Sequence, residues 1–257
     1  MDLRKYFALM LVATMAITVG CGSKDEDDLG GGTSGGGSAS ASAKMGTAVV
    51  SGKVTLSGKA PAAAKISMDA DPVCKSQHSG TVNDETVVAN AKGDLMNVMV
   101  YVTEGAGNYP APTTPVLLDQ KGCMYHPHVF GIQVNQPLEI QNSDATLHNV
   151  HSMAVTNDGF NVGQPNQGMK TEKKFTKAEM PLKFKCDVHS WMHCFVGVFT
   201  HPFYCVTGED GTYKISGLPA GSYTLVAWQE KYGESQPQKV TLADGATQTV
   251  NFTFTAQ

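Results

Sequence analysis

From Thr47 onward, apolar and polar positions alternate in short runs, and no stretch sustains a helical period. In the first run Val50, Val54 and Leu56 fall on one side, with Ser51, Lys53 and Thr55 on the other. Ser57-Gly58 then marks a turn. Residues 61–87 are irregular and contain Cys74 and His78. Met96, Val98, Val100 and Val102 repeat the alternation, and Gly105-Ala106-Gly107 with Pro110, Pro112 and Pro115 interrupts it. Shorter runs follow at 116–118, 129–134 and 138–141, then an Asn/Gly-rich loop at 157–167, then runs at 173–175, 182–186 and 195–199. Tyr213-Lys214-Ile215, the run from Tyr223 to Trp228, Val240-Thr241-Leu242 and 249–255 complete the series. Period-two runs with Gly/Pro punctuation predict an all-β chain built from sandwiches.

The first residues carry a different pattern. Arg4 and Lys5 precede an apolar run from Tyr6 to Val19, too short to span a bilayer and suited to an export signal. It ends in Thr18-Val19-Gly20-Cys21, which resembles a bacterial lipoprotein processing site. On that reading residues 1–20 are a signal peptide and Cys21 is the lipid-modified first mature residue; the alternative is a plain export signal with an incidental cysteine. Residues 21–45 are mostly Gly, Ser, Ala and acid, cannot bury a core, and are expected to form a flexible tether with a reach of roughly 25–30 Å. Gly22, where Asp would favour inner-membrane retention, points to the outer membrane. The expected location is therefore the cell envelope, lipid-anchored and facing the periplasm or the exterior.

In 257 residues, 41% apolar content is enough for a core. A net charge of −4 without a long basic run argues against nucleic acid as a partner. No dinucleotide loop, phosphate loop or haem-attachment motif occurs, which removes several enzyme classes.

The chemistry concentrates in Lys183-Phe184-Lys185-Cys186-Asp187-Val188-His189-Ser190-Trp191-Met192. Leu182, Phe184 and Cys186 share one face, so a half-buried strand delivers Cys186 inward, and a tight loop returns His189 and Met192 over the sulfur. Thiolate, imidazole and thioether, joined by one more imidazole, form the donor set of a blue-copper electron-transfer site. Leu147-His148-Asn149-Val150-His151 offers that imidazole. In an extended strand His148 and His151 point oppositely, so one of them at most is a ligand. A Cys-x-x-His pair alone would suit zinc, and Met192 alone would be core filler. Trp191 either packs against the loop or belongs to an apolar exit patch around His189, itself expected to be exposed. His126, His128, His193 and His201 read as surface or turn residues, with His126-Pro127-His128 a weaker second metal candidate.

Of six cysteines, Cys21 goes to lipid and Cys186 to metal. Cys74, Cys123, Cys194 and Cys205 remain, an even number that suggests two disulfides with three connectivities. Cys74–Cys123 with Cys194–Cys205 is the preferred pairing, and free thiols are the alternative.

Two resemblances sharpen these expectations. Asp210-Gly211-Thr212-Tyr213 with Leu218-Pro219-Ala220-Gly221-Ser222-Tyr223 resembles the carboxypeptidase regulatory-like (transthyretin-like) sandwich. The strand that usually opens that family, here Val50 to Gly58, lies far upstream. This implies a sandwich split between residues 46–110 and 205–257, with 111–204 inserted. The insert resembles the cupredoxins, small blue-copper proteins with a Greek-key β-sandwich, and the amicyanin type in particular. Cys186, His189 and Met192 match its Cys, third-position His and sixth-position Met, and His148-Asn149-Val150-His151 matches its first-ligand motif. The resemblance implies His148, Cys186, His189 and Met192 as ligands of one type 1 copper, with Asn149 tying the two ligand segments together. Val188 and Ser190 stand where that type carries prolines. The expected function is single-electron transfer between a donor and an acceptor protein, without catalysis of bond making. The alternatives are a Cu(I)-handling or sensing protein of the envelope, and a structural envelope sandwich.

Overall fold

The computed structural model describes residues 44–256. The signal peptide, Cys21 and all but the last two residues of the tether lie outside them. The described chain is an all-β protein of two sandwiches with a single short helix.

The first sandwich draws strands from both ends of the described chain. Ala48–Ser57 pairs antiparallel with Thr212–Leu218, placing Val50 opposite Ile215. Its other edge pairs in parallel with Thr247–Thr249 and Phe252–Thr255, placing Val54 opposite Phe252. The facing sheet holds Tyr204–Val206, Met99–Glu104, Gly221–Gln229 and Gly233–Glu234, with Gln238–Leu242 also on Gly221–Gln229. Val50, Val54 and Leu56 meet Val98, Val100, Val102, Leu225 and Ala227 in the core between them.

The second sandwich lies between these ends in sequence. One sheet runs Asn161–Gln164, His148–Ser152, Glu179–Lys185, His193–Phe199, Val129–Gln133. The other runs Lys170–Lys173, Leu138–Asn142, Val116–Lys121, Met124–His126. Neighbours that are distant in sequence, such as the parallel pair Phe195↔Val129, are the crossovers of a Greek key. Leu118, Ile132, Ile140, Val150, Phe184 and Val196 fill its core.

Two findings depart from the sequence expectation. Residues 65–83, expected within the split sandwich, pack on the second core through Met68 and Cys74. They include the helix Pro72–Ser76, capped by Asp71, whose Oδ1 accepts from the N–H groups of Val73 and Cys74. An Asx cap followed by proline is a legible helix start, hidden here by the brevity of the helix. Secondly, Gly221–Gln229 and Met99–Glu104 are buried on both faces. Met99, Tyr101, Val226 and Trp228 turn away from the first core to meet Val129 and Phe199 of the second sandwich. Tyr204 lies so close to Gly131 that an added Cβ would approach its ring to 2.2 Å, so only glycine fits there.

The cysteines divide between the two cores. Cys74 and Cys123 are joined in a disulfide, while Cys194 and Cys205 are free thiols, against the preferred pairing. Cys194 sits opposite Phe184 inside the second core, and Cys205 sits opposite Val100 against the first. Facing different cores, they cannot close a bond that requires Cα atoms within about 7 Å. Burial pushes the Cys194 thiol well above its ordinary pKa.

Candidate metal centre

The hairpin between Glu179–Lys185 and His193–Phe199 builds the centre. Lys185 pairs with His193 across the hairpin and with His151 on the neighbouring strand. Continuing the second register sets Cys186 across from Val150, and Asp187 across from Asn149. The loop closes on itself: the Cys186 N–H donates to the Met192 carbonyl at 3.0 Å, and the Met192 N–H to the His189 carbonyl at 2.9 Å. The His189 N–H donates to Cys186 Sγ at 3.3 Å. These bonds explain why the three residues recur at intervals of three.

His148, Cys186, His189 and Met192 are all buried, none more than 3% exposed. His189 is therefore not the exposed ligand expected from the loop. Asp71 covers it, with Oδ2 accepting from Nε2 at 3.0 Å, and Cys74 Sγ of the disulfide lies 3.6 Å from the same nitrogen. Trp191 packs its ring 5.0 Å from the His189 ring and donates Nε1–H to the Cys123 carbonyl.

The two imidazoles are oriented alike. His148 Nε2 donates to Asp144 Oδ2 at 2.9 Å, as His189 Nε2 does to Asp71. Carboxylates only accept, so both rings carry a proton on Nε2 and turn Nδ1 inward. The two Nδ1 atoms lie 3.0 Å apart, with Cys186 Sγ 3.9 Å from that of His189. Two bare lone pairs at that distance repel unless a proton or a metal ion sits between them. Burial alone would lower His148, yet Asp144 and the Cys186 thiolate raise its pKa above the ordinary value. Burial, helped by positive charge on His148 and opposed by Asp71, lowers that of His189. Burial would also raise Cys186, but the neighbouring His148 and the N–H groups of Asn149, His189 and Val188 outweigh it and lower its pKa, favouring the thiolate.

Both anions are firmly held. Burial raises Asp144, but His148 and the N–H groups of Cys123 and Gly122 bring its pKa below the ordinary value. Asp71, raised by burial, is brought to about 2 by His189, Thr146 and the helix N-terminus. Asn149 links the two ligand segments: Oδ1 accepts the Asp187 N–H at 2.7 Å, and Nδ2 donates to Asn161 and to Asp187.

His151 points outward and pairs with Asp187 at 3.0 Å, away from the cluster. His148→Ala is therefore expected to abolish the centre's metal spectrum or leave it open to added imidazole, and His151→Ala to leave it unchanged. Absorption of the copper-loaded variants decides this, and the reverse result would put the strand's faces the wrong way round. Of the remaining histidines, His126 is at the surface as expected, with Nε2 near the Lys121 carbonyl, whereas His128 and His201 are buried, against expectation, and His193 is half-buried. Sequence reading missed Asp71 and Asp144. Asp71 reaches its imidazole across 118 positions and left only the cap preceding Pro72 as a trace, whereas Asp144 stands four residues before His148.

Residues 199–255 match the sequence profile of the carboxypeptidase regulatory-like domain. No curated protein matches the chain. Among solved structures, the copper-containing nitrite reductase of Thermus scotoductus SA-01 aligns at 21% identity and a TM-score of 0.32 over 37% of this chain. This chain spans a quarter (25%) of that reductase. A purple cupredoxin from Nitrosopumilus maritimus aligns at 24% identity and a TM-score of 0.28, covering 33% of this chain and 97% of its own. A methionine-to-alanine mutant of amicyanin in its Cu(I) form aligns at 18% identity and a TM-score of 0.30, covering 38% and 97%.

Proposed function

We propose that this protein is an envelope-anchored electron carrier built around one type 1 copper. The observation that carries the reading is the pair of Nδ1 lone pairs 3.0 Å apart, fixed from outside by Asp144 and Asp71 and set beside a thiolate. His148 Nδ1, His189 Nδ1 and Cys186 Sγ would hold the ion, with the Met192 thioether as the weak fourth donor. The donor set fits copper: two imidazoles and a thiolate would also suit zinc, but a thioether beside them suits copper. Copper in this set supplies reversible one-electron transfer, because its two oxidation states tolerate the same ligands.

The protein's own contribution is rigidity and exclusion. Complete burial leaves no position for a substrate, which favours a carrier over an enzyme and over an exchangeable Cu(I) store. Asn149 and the loop's backbone bonds hold the sulfur in place, and Asp144 and Asp71 hold each ring in one tautomer. Leu147 and Val188, 43% and 49% exposed, flank His148 and His189 and offer an apolar landing place for donor and acceptor proteins. Lipid on Cys21 and the tether 21–45 would keep the carrier at the envelope, more readily the outer membrane, with nucleic acid playing no part.

Asp71 should tune the potential. Its negative charge on the outer nitrogen of His189 favours Cu(II) over Cu(I). Asp71→Asn keeps a hydrogen-bonding oxygen and removes the charge, so Cu(II) affinity is expected to fall about 10–100-fold. Where Cu(I) binding is little changed, the potential rises by about 60–120 mV. Protein-film voltammetry tests both statements. A reversible one-electron wave is expected from the parent protein, and its absence would count against the function. An unchanged or lower potential in the variant would remove Asp71 from the account.

A further inference from the structure

A second convergence of donors lies where the two sandwiches meet, away from Cys186. Phe195↔Val129 pairing draws together His193, which opens one strand, and His128, which precedes the other. Their rings stand edge to face with centroids 5.1 Å apart. Glu230, just beyond Gly221–Gln229 of the first sandwich, reaches both: Oε2 lies 2.5 Å from His128 Nε2, and Oε1 lies 3.3 Å from His193 Nε2. These side chains are 3% exposed for His128, 9% for Glu230 and 17% for His193.

The outer nitrogens settle the chemistry. His193 Nδ1 lies 3.2 Å from the Trp191 carbonyl, which only accepts, so the proton of the neutral ring is on Nδ1. His128 Nδ1 faces Glu85 Oε2 at 3.8 Å, beyond hydrogen-bond reach, and that buried oxygen has no hydrogen-bond partner. Both Nε2 atoms converge on one buried carboxylate, an arrangement met either by protons on the imidazoles or by a metal ion held among the three groups. A carboxylate behind a histidine whose other nitrogen faces two further donors is the usual outer support of a metal ligand.

We propose that His128, His193 and Glu230 form a second metal site, with Glu85 orienting His128, that takes a divalent ion of the zinc class. Two imidazoles and a carboxylate, without sulfur, suit such an ion and not Cu(I). A double positive charge balances Glu230 and Glu85 with both imidazoles neutral. Because Glu230 belongs to one sandwich and both histidines to the other, the ion clamps the two together, and its binding adds to the stability of the folded chain.

The test uses zinc and the mature chain carrying Cys186→Ala, so that it stands whether or not the first centre holds copper. Calorimetry is expected to give one zinc per chain, with a rise in melting temperature. Zinc should shift the ring nitrogen signals of His128 and His193 in NMR, which requires no further substitution. Adding Glu230→Gln should abolish that uptake, and adding the more exposed Glu85→Gln should weaken it about 10–100-fold. No zinc uptake would overturn the site, leaving the histidines as protonated ion-pair partners of Glu230. Zinc that leaves both ring signals unmoved, or whose affinity ignores Glu230→Gln, would overturn it equally.

Discussion

Cys186→Ser is expected to abolish the intense visible absorption of the copper-loaded protein and to cost more than the roughly hundredfold in copper affinity that loss of an outer partner costs. The colour arises from charge transfer between thiolate sulfur and Cu(II), and a serine hydroxyl is neither soft nor ionised at neutral pH. The fold should survive, because serine has the same shape as cysteine with a smaller end atom that can still accept the His189 N–H now pointing at Sγ. Cys123→Ser supplies the contrast. It opens a disulfide spanning 49 residues, worth about 4 kcal/mol by loop entropy, yet removes no donor from the cluster. That variant should melt earlier and remain coloured. Absorption and thermal unfolding of the two variants separate the roles, and a coloured Cys186→Ser protein would refute the assignment of the sulfur.

Ending the chain after Thr207 is expected to destroy the first sandwich outright. Ala48–Ser57 would lose its antiparallel partner Thr212–Leu218 and both of its parallel partners in one step. Met99–Glu104 would lose Gly221–Gln229. Val50, Val54, Leu56, Val98 and Val100 would then face water, an apolar patch large enough to drive aggregation. The second sandwich would also lose the Val226 and Trp228 side of its interface. Size-exclusion chromatography should find aggregate or no soluble product. A monomer that unfolds cooperatively would instead mean that the strands before Thr207 form a domain without the C-terminal segment.

What could be read from sequence was what a short stretch decides. Cys186, His189 and Met192 lie in one hairpin loop whose backbone bonds set their spacing, and a two-residue alternation separates His148 from His151. The two-ended sandwich left a trace in the alternation of Val50, Val54 and Leu56 and in the turns of the C-terminal segment. What escaped depends on tertiary approach. Asp71 reaches His189 across 118 positions, and nothing near Asp71 announces an imidazole. His189 was expected to be exposed because a short loop usually is, but the covering element comes from an irregular stretch without a period of its own. Cys194 and Cys205 looked like partners only by proximity in sequence, which cannot reveal that a strand crosses from one core to another between them. Burial of both faces of Gly221–Gln229 had a signal in the unbroken run Tyr223 to Trp228, since strands covered on both sides lose their polar alternation.

The central claim is that His148, Cys186, His189 and Met192 hold one copper through a thiolate. The most direct measurement is a titration of the purified protein with Cu(II), followed by visible absorption and electron paramagnetic resonance. An intense thiolate-to-copper band that saturates at one equivalent, with the narrow copper hyperfine splitting of a thiolate-bound centre, is the predicted result. A pale spectrum at one equivalent, with the wide splitting of copper bound by nitrogen and oxygen alone, would contradict it.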